Sequence, residues 1–410
     1  MESVFSPFVS AFRKGYSCNN LLIKITEDWR SKLDNDKYVG AILMDLSRAF
    51  DCLPHALALA KLKAYGLQHS ALKLMSSYLT DRYQRVKIAD KRSDWLKIIK
   101  GVPQGSILGP LLFNIFINDM YFMIKGCHLY NYADDNTLSF SHHDPESLHL
   151  TLEHKSEESI QWFTQNEMLA NPDKFQAIVL CPSRRDSCNI SFGIGGEVIK
   201  SEDHVRLLGV EIDNKLKFDV HITSLCKKAA RQINVLRRIS SFFDESSKLL
   251  IFRSFILSNF NYCPLVWHFC GATLTKKLEN LQERGLRFVF KDHTSDYCTL
   301  LKRAGLPTLS IGRLRSLATE VYKALGSYGP DYSQNMFLQF QSNKNFRSSR
   351  YLDLPAFNKV TFGKNSLRYL GVKIWNRIPN DIKNAVTLSE FKKLILTWNF
   401  DNTCNCSACQ

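Results

Sequence analysis

No apolar run in this chain approaches the roughly 20 residues that a membrane-spanning helix requires. Met1 to Ser10 is short and lacks a basic start, so no secretory leader is read. No Gly-x-Gly-x-x-Gly or Gly-x-x-x-x-Gly-Lys-Ser/Thr motif opens a helix, which argues against a nucleotide-coenzyme enzyme. Internal repeats and low-complexity segments are absent as well. Acidic residues are scarce relative to basic ones: 39 against 54, a formal charge of +15. Chains this basic favour anionic partners, and nucleic acid is the first to consider. The 12 cysteines are scattered. Reduced thiols in an intracellular protein, nuclear or cytoplasmic, are therefore expected in place of a disulfide framework.

Hydrophobic residues make up 45% of the 410, enough to build cores in two or three domains. The most informative segment is Tyr132-Ala133-Asp134-Asp135. Apolar Leu129 and Tyr130 lead into it, and Thr137-Leu138-Ser139-Phe140 alternates on the way out, so a β-hairpin with two acids at its tip is expected. Adjacent carboxylates repel each other and stay ionised most readily beside a cation such as Mg²⁺. A solvated Asp-Asp turn is the plainer alternative. Upstream, Val39 to Met44 is a continuous apolar run closed by Asp45. It reads as a buried strand that delivers a carboxylate, or as a strand ended by a helix-capping Asp. Between the two acid sites, Gly101-Val102-Pro103-Gln104-Gly105-Ser106 forms a rigid turn before a helix. Gly105 there would let a ligand approach the backbone.

In this order the three segments resemble the palm motifs of reverse transcriptases, specifically those of non-LTR (LINE-type) retrotransposons. Asp45 with Phe50 matches the first motif, Pro103-Gln104-Gly105 the second and Tyr132 to Asp135 the third. Asn171 and Lys174 match a fourth, and Leu208-Gly209-Val210 a fifth. Ser77 to Val86 looks like the segment these enzymes carry between the first two motifs. Phe12-Arg13-Lys14-Gly15 with Ser17 resembles their Gly-Phe-Arg-x-Gly-x-Ser segment. The resemblance is dense from residue 11 to about 213.

It implies an α+β fold: a right-hand polymerase palm of antiparallel sheet and helices, a helical thumb, and a small C-terminal region. The expected division is 1–37 as partial fingers and helical lead-in, 38–213 as palm, 214–330 as thumb-like helices and 331–410 as a basic, aromatic region. The implied reaction is nucleotidyl transfer from deoxynucleoside triphosphates to a DNA primer on an RNA template, with two Mg²⁺ ions (Mn²⁺ as an alternative). No membrane is involved. By resemblance Asp45, Asp134 and Asp135 hold the metals, with the Leu46 carbonyl as a further ligand. Phe50 excludes a 2′-hydroxyl, Gln104 and Gly105 meet the nucleotide, and Lys174 serves as general acid. For Phe50 and Lys174 the alternatives are a core phenylalanine and a surface lysine. The family's upstream Asn-Tyr-Arg-Pro-type motif, whose basic residue holds the triphosphate, has no counterpart. Arg13 and Lys14 are substitutes for it, and an N-terminally truncated, weakly active enzyme is expected. A non-catalytic nucleic-acid-binding relic and another palm polymerase are the rival readings.

Three further segments bear on binding. From Ile222 a helix carries the stripe Leu225, Ala229, Ile233, Leu236, flanked by Lys227, Lys228, Arg231, Arg237 and Arg238. It is either a phosphate-gripping surface or a solvated face. Phe346, Arg347, Arg350, Tyr351, Arg368, Tyr369, Lys373 and Trp375 interleave aromatic and basic residues, suiting either single-stranded nucleic acid or a small packed subdomain. Cys404, Cys406 and Cys409 have a spacing that zinc could use, with a flexible thiol tail as the alternative.

Overall fold

The computed structural model describes residues 4–183, 188–338, 351–398 and 400. It is a mixed structure of helices and antiparallel sheets, and it divides into two compact units. The first comprises the described residues of Met1–Leu21, Lys37–Cys181 and Arg185–Glu202; the second comprises those of Leu22–Asp36, Pro182–Arg184 and Asp203–Gln410.

The first unit is organised by a four-stranded sheet. Its strands are β1 (Tyr38–Met44), β2 (His128–Tyr132), β3 (Asp135–His142) and β4 (Gln176–Leu180), in the order β2-β3-β1-β4. All three pairings are antiparallel. β1 has neighbours on both sides, and from Val39 onward every residue in it is buried, which is why its sequence is apolar without alternation. The helix Pro145–Gln165 lies on this sheet and buries Leu148 and Leu152. Gly40 is what lets it come so close: a β-carbon there would sit 3.2 Å from Leu148 Cδ2 and collide with Leu152. Asp144 caps that helix by accepting from the Ser147 N–H at 2.8 Å, and Pro145 stands where no donor is needed.

The helices His55–Ala64, His69–Leu79 and Leu108–Ile117 follow β1 in the chain. Between the last two stands a narrow ribbon. It pairs only two residues at a time, Tyr83–Gln84 with Leu96–Lys97 and Lys87–Ile88 with Lys91–Arg92. Both faces of the ribbon are solvated, so no buried face enforces a longer register. A second hairpin, Ser191–Ile194 with Glu197–Lys200, was not anticipated; it turns at Gly195-Gly196.

The second unit is helical apart from one hairpin. The Leu208-Gly209-Val210 motif falls at a hairpin turn. His204–Leu207 pairs with Val210–Asp213 around a two-residue turn, Leu208 and Gly209, at φ 46° and 80°. Positive φ at both central residues is the twist that tight hairpins favour. The helix Asp219–Ile239 buries the predicted stripe and leaves Lys227, Lys228, Arg231, Arg237 and Arg238 exposed. It packs on the helix Ala272–Phe290.

The helix Cys18–Asp34 was expected beside the palm as a lead-in. From Leu22 its residues group with the C-terminal portion of the chain. The reason is a set of buried polar contacts. Glu27 accepts from the Leu367 and Arg368 N–H groups at 3.0 and 3.1 Å, and the Ser366 hydroxyl accepts from the Tyr369 N–H at 3.2 Å. The helix Leu367–Arg377 thus has three of its orphan N-terminal donors satisfied, two of them by a carboxylate that also suits the positive end of the helix dipole. Asp34 accepts from the Asn358 and Lys359 N–H groups at 3.1 and 2.7 Å. Trp375 is 1% exposed and lies against Tyr322 and Phe391, so in the described part of 331–410 this aromatic belongs to a packed core. Phe346, Arg347, Arg350 and the three tail cysteines lie outside the described residues.

Candidate active site

The site is assembled at one end of β1. Met44 pairs with Asn136, and β2 pairs with β3 out to Tyr132 with Asp135. Continuing that register by one residue sets Asp45 opposite Asp135. Opposed residues of an antiparallel pair share a face. Asp134 lies in the two-residue turn with Ala133, whose φ is 57°. Asp45 does not cap a helix, because the following helix, Ala49–Cys52, has Arg48 at its N-cap.

The three acids meet electrostatically. Burial, then the charges of Asp134 and Asp45, raise the Asp135 carboxyl above the usual carboxylate range. Protein crowds this side chain from one side while water still reaches it from the other, so part of the effect is screened. Among the described residues no three His, Cys, Asp or Glu side chains converge tightly enough to hold an ion. The donor set nonetheless fits a divalent cation in kind: hard oxygen ligands whose mutual repulsion a cation would relieve.

The turn is braced from beneath by two asparagines that sequence reasoning passed over. Asn131 is fully buried; its Nδ2 donates to the Ala133 carbonyl at 2.6 Å and to Asn136 Oδ1 at 3.0 Å. Asn136, 1% exposed, donates from its own Nδ2 to the Asp134 carbonyl at 3.0 Å. The Asn131 backbone is in turn held by Phe8 and Ser10. A polar residue at a core position of an otherwise apolar strand was the available signal, because buried amides survive only when bonded.

The remaining residues fall around this end of the sheet. The Asp45 carbonyl accepts from the Asn171 N–H at 3.3 Å, and Leu46, 4% exposed, bridges to Ala170. This ties the fourth motif to the first and leaves Lys174 Nζ 3.8 Å from Asp45 Oδ2, an exposed and weak pairing. Phe50 stacks on Phe113 with ring centroids 4.4 Å apart and meets the edge of Phe12 at 6.1 Å. Gln104 donates to Asp51 Oδ1 at 2.9 Å. Gly105 has φ +80° and nothing within 4 Å of where a β-carbon would be, so its backbone is open to approach. Gly101 needs its positive φ of +87°, and a β-carbon there would lie 2.7 Å from the Asp51 carbonyl oxygen. Arg13 is engaged elsewhere: its Nη1 donates to the Ser6 and Val9 carbonyls, both at 2.8 Å, and its guanidinium lies over the Tyr16 ring.

The family described as reverse transcriptase (RNA-dependent DNA polymerase) matches residues 1–212, just over half of the chain. The chain belongs to this family. It is of the LINE type that the motifs resemble, and its relatives come from such elements. The RNA-directed DNA polymerase from mobile element jockey of Drosophila funebris is 25% identical over 290 residues, 68% of this chain and 31% of its own length. A probable RNA-directed DNA polymerase from transposon BS of Drosophila melanogaster is 24% identical over 294 residues, 68% of this chain and 32% of its own length. The chain thus spans about a third of the length of these relatives. A telomerase from Candida tropicalis, solved with a fragment of telomeric RNA, aligns over 95% of this chain and 53% of its own at 13% identity, with a TM-score of 0.41. No helix among the described residues is long and apolar enough to cross a membrane.

Proposed function

We propose that this chain carries the polymerase portion of an RNA-directed DNA polymerase from a non-LTR retrotransposon. The observation that carries this reading is the register of the central sheet, in which Met44 pairs with Asn136, so that Asp45 follows beside the acid turn in a chain of the reverse transcriptase family. The sheet with its helices serves as the palm, and the helices after residue 213, led by the basic face of Asp219–Ile239, serve as the thumb on duplex phosphates.

In the reaction the primer 3′-hydroxyl attacks the α-phosphorus of a deoxynucleoside triphosphate. The new P–O bond forms as the bond to the pyrophosphate oxygen breaks, and the hydroxyl proton passes to water. Two Mg²⁺ ions held by Asp45, Asp134, Asp135 and the Leu46 carbonyl would stabilise charge on the attacking and leaving oxygens. Lys174, whose Nζ lies 3.8 Å from Asp45 Oδ2, would give a proton to the departing pyrophosphate. Phe50, backed by Phe113, forms a wall that refuses a ribose 2′-hydroxyl. Gln104 and the open backbone of Gly105 receive the nucleotide. A triphosphate contact by Arg13 would require it to leave the Ser6 and Val9 carbonyls.

The test is extension of a DNA primer on an RNA template with Mg²⁺ by the purified chain. Asp134→Asn should abolish extension while leaving the fold intact. Template binding without any extension, under Mg²⁺ or Mn²⁺, would make the chain a non-catalytic nucleic-acid-binding relic and sink the polymerase reading. Preference for ribonucleotides would reassign it to another class of palm polymerase.

A further inference from the structure

The ribbon between the first two motifs has no use in the chemistry above, and its composition is unusual. Residues 82–100 carry seven lysines and arginines against two aspartates. Apart from half-buried Arg82 and Ile98, every residue of it is exposed. Tyr83, Ile88 and Trp95 are 55%, 74% and 58% exposed, on a strand pair with no core to cover. Lys87 stands directly opposite Arg92. Like charges opposed across strands destabilise a pair unless an anion sits between them. The Arg85 guanidinium lies 4.4 Å above the Trp95 ring, a flat cationic platform. At its base the ribbon opens on a groove of about 680 Å³ lined by Arg48, Arg82, Tyr83, Lys100 and Gln104, with the carboxylate of Asp51 among them. Cations for phosphates, alternating with flat or apolar side chains for bases, form the pattern that grips a single strand.

We propose that this ribbon and groove hold single-stranded RNA, namely the stretch of template not yet copied. That it is the template rests on the polymerase reading; that it is single-stranded RNA rests on the surface. The groove reaches Gln104 of the second motif, so a strand lying in it arrives at the nucleotide site. A duplex would hide its base faces from Tyr83 and Trp95, and an apolar protein partner would leave the opposed cations unpaired.

The test measures binding of a labelled single-stranded RNA to the full chain by fluorescence anisotropy, without nucleotides, across about 50 to 200 mM salt. Each phosphate contact to a single strand contributes about 0.7 to the salt slope. The triple variant Lys87→Ala, Lys91→Ala, Arg92→Ala should therefore lose about 2 from it. Over that fourfold salt range the variant's affinity should fall roughly twentyfold less than the wild type's. Trp95→Ala should weaken binding at least about fivefold. Asp90→Asn with Asp94→Asn should tighten it, a gain that unfolding of the ribbon cannot produce. An unchanged slope in the triple variant overturns the proposal, as does equal competition by double-stranded RNA. So does Ile88→Asp dissolving a dimer while RNA affinity stays put, which would make the ribbon a self-association surface. A chain that binds RNA through the ribbon but extends no primer keeps this inference and loses the polymerase reading. One that extends a primer while the triple variant binds like wild type does the reverse.

Discussion

Asn131→Ala is the substitution that most directly tests how the acid turn is held. It deletes two hydrogen bonds and strands two buried acceptors, the Ala133 carbonyl and Asn136 Oδ1. An unsatisfied buried group costs about 1–3 kcal/mol. Asn131 Oδ1 is itself buried without a partner, so removing it offsets part of this. A net loss of about 2–3 kcal/mol follows. The functional effect should be larger than stability alone would give. Ala133 occupies a left-handed conformation that a residue with a β-carbon enters at a cost. Without the Asn131 amide the turn relaxes, and Asp134 and Asp135 move with it. A displacement of about 1 Å costs about a hundredfold in rate. The assay pairs primer extension under Mg²⁺ titration with Mn²⁺ binding followed by electron paramagnetic resonance, which needs no turnover. The control is Asn114→Ala, another buried asparagine whose Oδ1 lacks a partner and whose Nδ2 donates at 2.7 Å to the Ala11 carbonyl. It should lower stability and leave the metal midpoint alone. A folded Asn131→Ala protein with wild-type metal midpoint and rate would refute the reasoning.

Three further outcomes are expected. Phe50→Val should open the wall that Phe113 backs, and relative incorporation of ribonucleotides should rise about 10- to 100-fold in single-nucleotide extension. Burial, with the nearby Arg206, lowers His221 to a pKa of about 4 from 6.5. An imidazole kept neutral in the fold leaves the unfolded chain holding more protons between those values, so the stability is present above pH 6.5 and is lost as pH falls toward 4. Up to about 3 kcal/mol is at stake, and acid-titrated tryptophan fluorescence should show a smaller loss in His221→Phe. Glu27→Ala should cost about 3–5 kcal/mol, because it uncaps the helix Leu367–Arg377 and leaves Arg30, 1% exposed, without its nearby carboxylate. Limited proteolysis within residues 351–398 would report it, and unchanged cleavage would count against the capping argument.

Much of this was legible because the informative signals were local. The run Val39 to Met44 is apolar without alternation because β1 has strands on both sides, and the stripe of Asp219–Ile239 is buried as its spacing requires. The acid turn could be read from alternation on either side of it. What could not be read was determined by partners far along the chain. Nothing near Asn131 says that Phe8 and Ser10 hold its backbone, and nothing near Glu27 points to Leu367. The Leu208-Gly209 turn was missed because a leucine at positive φ contradicts its own preference. The ribbon's pairings are short because apolar residues there face water and no buried face sets a longer register.

The clasp between Glu27 and Leu367 also fixes the order of events when the chain is made. The partners are 340 residues apart, and nearly the whole sheet-bearing unit lies in the chain between them. Topologically that unit is an insertion within another. As synthesis proceeds from the N-terminus, Glu27 and Asp34 must wait for their partners until residues 358–368 have emerged, while the sheet can close as soon as β4 is complete. Contacts of such separation are slow to form. A chain cut before the helix Leu367–Arg377 therefore leaves the buried Glu27 carboxylate without the two N–H groups that bond it.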